Sequence, residues 1–513
     1  MSGRVRPMAR PTPPVDTAWR RFQAERGRGA GPFAGLLRRL EAQAPLYNLD
    51  RATPTLAAEI AVLAPEADQP ALTLLTLTAF LDAAQGSTRT PLERDWLTAR
   101  FQALLGPEGP EAEPWVDRAL AQLEGPAAPV LGHAPDAHTP LIIDDGALYL
   151  QRMLVAERRL AGGLADRLRQ PVPVPDADHL EDVLARPPHK GELAVRLSDE
   201  QRGAVLAAAS GAITLVSGGP GTGKTSVVVS ILRTLARAGI APADIALAAP
   251  TGKAAWRMLS SVRAALDTVT EPAAADQRLR GDLPAARTLH RLLGYSPQRD
   301  LWRHHARNPL GAQVVIVDEA SMIDVFLMDR LVRALQPTAR LVLLGDADQL
   351  PSVAAGAVFR DALKAAGAAQ VSLTHSYRMR KDDPGGAAVL RVARQMNAGK
   401  VGVFGPELAV HRPELATLGA LGVEHAELPR DRRRRFLDRW YRERCRGDGA
   451  QGEDGAAAGF IPYDEEVEAF GDDLFQSADA RDANAASAEF AVPKDAPDAT
   501  LARAALARYR RYM

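Results

Sequence analysis

Two hydrophobic periodicities divide this chain. From residue 19 to about 120, apolar positions recur at helical spacing between short turns, as in "PFAGLLRRLEAQAP" and "PLERDWLTARFQALLG", a pattern that predicts packed amphipathic helices. The stretch "ALTLLTLTAFLDAA" (71–84) is apolar on every face and predicts a buried helix; it is too short to span a bilayer and is broken by threonines. A Pro/Gly-rich joint, "EGPAAPVLGHAPDAHTP", leads into "LIIDDGALYLQRMLVAERRLAGGLADRLR", which predicts a short hairpin running into a long amphipathic helix. A second joint, "QPVPVPDADHLEDVLARPPHKGE", closes a helical N-terminal domain over 19–190, preceded by a disordered tail over 1–18.

Beyond residue 190 short apolar runs bounded by Gly, Asp or Pro alternate with helical segments: "AITLVSG", "IALAAP", "VVIVDEA" and "RLVLLGDADQ". Four such runs with crossover helices predict an α/β core, a parallel sheet covered on both faces, over 191–365. After about residue 395 the signal fades. "PRDRRRRFLDRWYRERCR" (429–446) is a basic helix-like run, and 447–500 is rich in Gly, Ala, Asp and Glu with few large apolar residues, so a loosely ordered segment is expected there.

Composition narrows the class. The chain has 513 residues, 46% hydrophobic and 25% charged, enough for about two to four soluble domains. Lys+Arg and Asp+Glu balance at 63 each, so affinity for nucleic acid must come from local patches and not from the net field. A lone cysteine, Cys445, excludes an internal disulfide, an iron–sulfur cluster and a cysteine-based zinc site, and suits a reducing cytoplasm. The opening "MSGRVRPMARPTPPVDTAW" has no apolar core and is not a signal peptide, and nothing points to a membrane.

The chemistry centres on "LVSGGPGTGKTSVVVSIL" (215–232), an apolar strand, a glycine-rich loop and a helix that together satisfy G-x-x-x-x-G-K-S/T. Gly218, Gly219, Pro220, Gly221, Thr222, Gly223, Lys224, Thr225 and Ser226 are the expected ATP cradle. The glycines let backbone N–H groups converge on phosphates beside a helix N-terminus. Lys224 is expected at the β- and γ-phosphates, and the Thr225 hydroxyl on Mg2+. "VVIVDEAS" ends a buried strand in two carboxylates at the edge of the sheet where ligands bind. Asp318 is expected to hold Mg2+, and Glu319 to polarise the attacking water.

Further stretches bear on what the ATP site drives. "LLGDADQLPSV" (343–353) offers Gln349 to the γ-phosphate and a neighbouring domain, and "LTHSYRM" (373–379) offers Arg378 just after a strand. "LSDEQRGAV" (197–205) offers Gln201 to adenine, and "APTGKAAWRM" (249–258) places Thr251 and Lys253 where a backbone phosphate could be gripped. Singly, each is also a turn, a cap or a solvated charge.

In this order they resemble superfamily 1 helicase motifs: "SDEQ" the Q motif, "GGPGTGKT" motif I, "APTGKAA" Ia, "DEAS" II, "GDADQLPSV" III and "SYR" IV. With "RTLHRLLGY" (287–295) and "GDADQLPSVAAGAVF", the chain over roughly 140–400 resembles the RecD family, the alpha subunit of RecBCD exonuclease V. The resemblance implies a RecA-like P-loop NTPase motor domain after a mostly helical, partner-binding domain, and a second, partial RecA-like domain over 366–513. It also implies a 5′→3′ translocase on single-stranded DNA at duplex ends, working beside RecB- and RecC-like subunits in break repair and recombination. Stand-alone RecD-like helicases carry helix-hairpin-helix units whose Gly-centred signatures are not found here, which favours the complex-bound type. DNA contacts implied by the family are Thr251, Lys253, His290 and Ser352; His290 is equally a packing histidine. The arginine run 432–435 is a phosphate site or, more simply, a solvated helix face.

The resemblance breaks after Arg378. The family's later motifs, resembling "VHKSQG" and "YTAITRA", have no counterpart, since the chain contains no S-Q-G and no T-R-A. The expectation is therefore a C-terminally incomplete helicase, whether a truncated or split reading frame or a chain completed by another polypeptide. It binds ATP and hydrolyses it poorly alone. The alternative is a catalytically impaired subunit with a scaffold role.

Overall fold

The computed structural model describes residues 34–124, 130–134, 138–349 and 355–377, with the strand pair Ala409–Val410 and His425–Ala426. Contacts divide the chain into two compact units: a larger one that runs to Thr374 apart from Pro220–Thr222, with Ala488–Met513, and a second made of Pro220–Thr222 and His375–Ser487. The 1–18 tail, the arginine run and the 447–500 segment lie outside the described residues.

Among the described residues the larger unit opens with helices α1 (Ala34–Gln43), α2 (Thr53–Ala61), α3 (Gln69–Ala84), α4 (Arg94–Leu105) and α5 (Glu113–Glu124). The apolar stretch is α3, and every residue from Pro70 to Asp82 is buried. Its threonines do not break it, because Thr73, Thr76 and Thr78 each donate to the carbonyl four residues back, at 2.7, 2.7 and 2.9 Å. Strands β1 (Arg89–Pro91), β2 (Leu131–Gly132), β3 (Leu141–Asp144) and β4 (Ala147–Leu150) form a small sheet in the order β1-β4-β3-β2. Asp145 and Gly146, at φ 48° and 69°, make the β3–β4 hairpin turn, and α6 (Gln151–Arg169) follows directly, as the pattern predicts.

After α7 (Ala177–Ala185) comes the short hairpin of β5 (His189–Lys190) and β6 (Leu193–Ala194). Then α8 (Asp199–Ser210) leads into the main sheet. Its strands are β7 (Ile213–Gly218), β8 (Ile245–Ala249), β9 (Ala286–Thr288), β12 (Val314–Val317), β13 (Arg340–Gly345) and β14 (Gln370–Leu373), while β10 (Tyr295–Ser296) and β11 (Leu301–Trp302) pair separately. The six are parallel in the order β14-β7-β13-β12-β8-β9. The four apolar runs are the inner strands, and the short edge strands β9 and β14 add two more.

Strand alternation sends successive side chains to opposite cores. Leu215, Val315, Val317, Leu341 and Leu343 join one apolar cluster, and Val216, Val314, Ile316, Val342 and Leu344 join another. The second core lies under α8, α9 (Lys224–Arg237), α10 (Gly252–Asp267) and α11 (Ala274–Gly281). The first takes in α12 (Leu289–Leu293), α13 (Val325–Ala334) and α14 (Val358–Ala365), and continues without a break into α3, α4 and α6 of the N-terminal region. Polar contacts reinforce that junction: Arg159 makes two hydrogen bonds to the Asp329 carboxylate, at 2.9 and 2.5 Å, and Arg167 donates to Ala339 O at 2.6 Å and Gln336 O at 3.2 Å.

One buried ion cluster ties α9 to its neighbours. Arg233 and Arg237 both donate to Asp276 on α11, with the closest contacts at 2.8 Å, and Arg237 reaches Asp182 on α7 at 2.6 Å. Burial alone would raise the Asp276 carboxyl, but hydrogen bonds from Arg237 and Arg233 outweigh it and hold it well below the ordinary carboxylate range.

Candidate active site

The site forms where β7, β12 and β13 end side by side at the sheet's carboxyl edge. Parallel register pairs Val317 with Leu343 and Leu343 with Leu215. The residues leaving these strands therefore meet: Gly218 and Gly219 at the end of β7, Asp318 and Glu319 after β12, and Asp346 after β13.

Gly223 sits at φ 83°, a conformation costly for residues with a Cβ, and caps α9, which starts at Lys224. Lys224 Nζ donates to Gly218 O, and to Gly219 O at 3.3 Å. Thr225 is exposed and Ser226 half-buried in the first turn of α9. Within the second unit Gly221 has φ 78° and Thr222 is buried. There, Tyr377 N donates to Gly221 O at 2.8 Å, and Ser376 Oγ to Pro220 O at 3.2 Å.

Asp318 N donates to Ala248 O at 3.0 Å, which carries the β12–β8 ladder up to the carboxylate. Glu319 has φ 54°, a left-handed backbone for a long side chain and a local strain of order 1–2 kcal/mol. Its N–H donates to Asp318 Oδ1 at 2.9 Å. Burial pushes the Asp318 carboxyl up, against the Glu319 N–H and the charges of Lys224 and Arg257. Glu319 is likewise raised by burial and by Asp318, with Asp346 adding to the shift and Lys224 and Arg257 opposing it.

This donor set fits a magnesium nucleotide. Two carboxylates pushed toward their neutral forms gain most from a nearby cation. Among the described residues no group of three His, Cys, Asp or Glu could hold a metal by itself. Thr225 and Asp318 would thus share the ion with phosphate oxygens, as a hydrated octahedral ion commonly requires.

The other expected residues are more scattered. Gln201 is buried in α8, where its side-chain oxygen accepts from Ser198 N at 2.9 Å and Ser198 Oγ accepts from Gln201 N at 3.3 Å. This is a capping box, so the oxygen expected to read adenine is engaged in the helix cap. Thr251 is exposed and caps α10, its Oγ1 accepting from Ala254 N at 3.2 Å; Lys253 is exposed beside it. His290 is exposed on α12 and also packs on the rings of Tyr295 and Trp302, at 5.6 and 5.4 Å. Gln349 is exposed at the turn after β13. Ser352 and Arg378 lie outside the described residues.

Asp346 and Arg257 were not singled out by sequence, yet both act electrostatically on Glu319. Asp346 is 5% exposed, and a Cβ placed on Gly219 would lie 3.9 Å from its Oδ2. The available signal was its position: it follows β13 as Asp318 follows β12.

Residues 201–355 match the family model of an AAA domain. The same region is similar to proteins named RecD. RecBCD enzyme subunit RecD of Mycobacterium tuberculosis is 41% identical over 254 residues, 48% of this chain and 40% of that one. The Haemophilus influenzae subunit of the same name is 38% identical over 222 residues, 43% and 34% of the two chains. ATP-dependent RecD2 DNA helicase of Deinococcus radiodurans is 33% identical over 270 residues, 52% and 33%. The chain spans less than half the length of the curated relatives it matches. A solved Pif1 helicase from Candida albicans aligns with 40% of this chain and 45% of that one, at 22% identity and a TM-score of 0.28, too loose to carry an argument.

Proposed function

We propose that this chain is an ATP-dependent DNA motor subunit of a RecBCD-type exonuclease V. In this reading it moves 5′→3′ on single-stranded DNA at duplex ends, beside RecB- and RecC-like subunits, in double-strand break repair and recombination in the cytoplasm. The supporting observation is the convergence of the Lys224 loop, Asp318–Glu319 and Asp346 at one sheet edge, in a segment similar to proteins named RecD. No helix among the described residues is long and apolar enough to cross a membrane.

In this reading Lys224 leaves the Gly218 and Gly219 carbonyls to meet the β- and γ-phosphates, and the loop amides with the α9 N-terminus hold the remaining charge. Thr225 and Asp318 would hold a magnesium ion, which would supply positive charge to the phosphates. Glu319 orients and deprotonates the attacking water, a task suited to a carboxylate raised above its ordinary range. Gln349 and Arg378 couple the nucleotide state to domain closure. An arginine like that of the family's late motif supplies on the order of 10³- to 10⁵-fold in related phosphoryl transfer.

The deciding experiment is Lys224→Gln in cells challenged with double-strand breaks. Loss of repair supports the motor. Repair at the unsubstituted level overturns it in favour of a scaffold, a reading that the shared core of the N-terminal helices and the motor keeps in play.

A further inference from the structure

Helix α8 opens on the Ser198–Gln201 capping box and carries two acids in its first turn, Asp199 and Glu200. Acids there are ordinary, since the amino end of a helix favours negative charge. The two nevertheless behave differently. Among the described residues Asp199 makes no side-chain hydrogen bond or ion pair. Glu200 instead reaches Thr374, 174 positions along the chain: its Oε2 accepts from Thr374 N at 2.8 Å, and its Oε1 from Thr374 Oγ1 at 2.5 Å. Hydrogen bonds to an ionised acceptor are the strong ones, and two from one residue fix its backbone and its side chain together.

The place of Thr374 gives that restraint its interest. Strand β14 ends at Leu373, which pairs with Gly218 at the end of β7. Thr374 follows it as the last residue of this stretch of the larger unit, and His375 begins the second unit. Just beyond, within the second unit, Ser376 Oγ and Tyr377 N donate to Pro220 O and Gly221 O of the glycine-rich loop, and the His375 ring meets Tyr377 edge-on at 4.6 Å. The chain is thus tied on both sides of His375. Before it, Thr374 is held to the first turn of α8; after it, residues 376 and 377 are held to the tip of the loop expected to cradle phosphate. Hinges are typically a few residues at the end of an element, with fixed structure on one side.

We infer that Glu200 is the positioning residue of a hinge at His375: it holds Thr374 still, so that movement of the loop tip on phosphate binding turns the chain beyond His375 and leaves β14 in place. The inference rests on the ATP-motor reading and deepens it, because it names the fixed point against which domain closure works. Glu200 also sits beside Gln201 on the capped turn, so the anchor of the hinge and the residue expected at adenine share one rigid element.

Hinge and helix-dipole roles separate in the preference for ATP over ADP, measured with fluorescent ADP and a fluorescent non-hydrolysable ATP analogue. In the motor reading ADP is held by the loop, whereas the preference for ATP draws on Arg378 beyond the hinge. Glu200→Ala should therefore bind ADP as the parent does and lose about 5-fold or more of the ATP preference, the lower end of coupling between linked sites. Glu200→Gln, which keeps one acceptor oxygen, and Thr374→Val, which keeps the backbone donor, should each lose part of it; these conservative variants carry the test if Glu200→Ala does not fold. A merely structural role would lower melting temperature and both affinities together, and that result overturns the inference. If the variants keep the parent's ADP affinity and its ATP preference, Glu200 serves the helix end alone; the inference falls and the motor reading stands. A parent with equal affinity for the two nucleotides has no coupling for Glu200 to carry, and the inference falls while the nucleotide site stands. If the parent binds neither nucleotide, the motor reading falls with it.

Discussion

At its C-terminal end, α9 presents Arg233 and Arg237 to Asp276; at its N-terminal end it presents Lys224 near Asp318 and Glu319. The first is a buried and the second a half-buried cluster of cations and carboxylates, and the carboxyl pKa values move in opposite directions. Asp276 is held down because two guanidinium groups meet its oxygens directly. Asp318 and Glu319 are pushed up because burial removes water, while Lys224 is hydrogen-bonded to loop carbonyls and acts on them only through space. A cluster that satisfies itself fixes structure; one left under-neutralised is prepared for a charged ligand.

The largest test of this contrast is Asp276→Asn. Two buried guanidinium groups lose their counter-charge, and unfolding free energy should fall by about 3–5 kcal/mol, read from denaturant midpoints, with ATP affinity in the folded fraction unchanged. The sign with pH is definite. A depressed carboxyl contributes stability that is fully present above its ordinary value of 3.8 and is lost only as pH falls below it. The gap between variant and parent should therefore be constant from pH 5 to 8.

Lys224→Ala is the converse. Losing one charged hydrogen-bond donor to phosphate, worth about 1.5–3 kcal/mol, should weaken ATP about 10- to 150-fold with little change in melting temperature. A large loss of stability would show that both ends of α9 are structural. Smaller again is Asp318→Asn, which should raise the melting temperature by about 2–4 °C for each ~1 kcal/mol recovered. Because the Asp318 carboxyl is raised, its ionisation penalises folding only above the ordinary value of 3.8. The gain should be absent at pH 3.5 and grow as pH rises. Smallest is Arg186→Ala: its pair with Asp182 lies at the solvent edge of the closed cluster, and the loss should be under about 1 kcal/mol.

Much of the fold was legible because burial writes itself into strand composition. The four inner strands read as apolar runs since both faces are covered, and the Asp145–Gly146 hairpin and α6 followed from turn chemistry and period. The edge strands were harder. β9 is "ART" and β14 "QVSL", half-exposed segments without an apolar run to mark them. At the site, the order of motifs pointed to the loop and the carboxylate pair. It did not show that the Gln201 oxygen serves a capping box, or that Asp346 turns inward while Gln349 turns out. Those outcomes depend on local hydrogen bonding and strand register, which single-residue motif matching does not contain.

The unbroken core between α3, α6 and the main sheet bears on how this polypeptide can be divided. Residue 190 looks like a natural seam, with proline-rich chain on its N-terminal side. A polypeptide begun at 191 would nevertheless lay open the apolar side of α13 and leave Asp329 buried without Arg159. The helical region is therefore part of the sheet domain's own hydrophobic inventory, and the two are expected to fold as one piece.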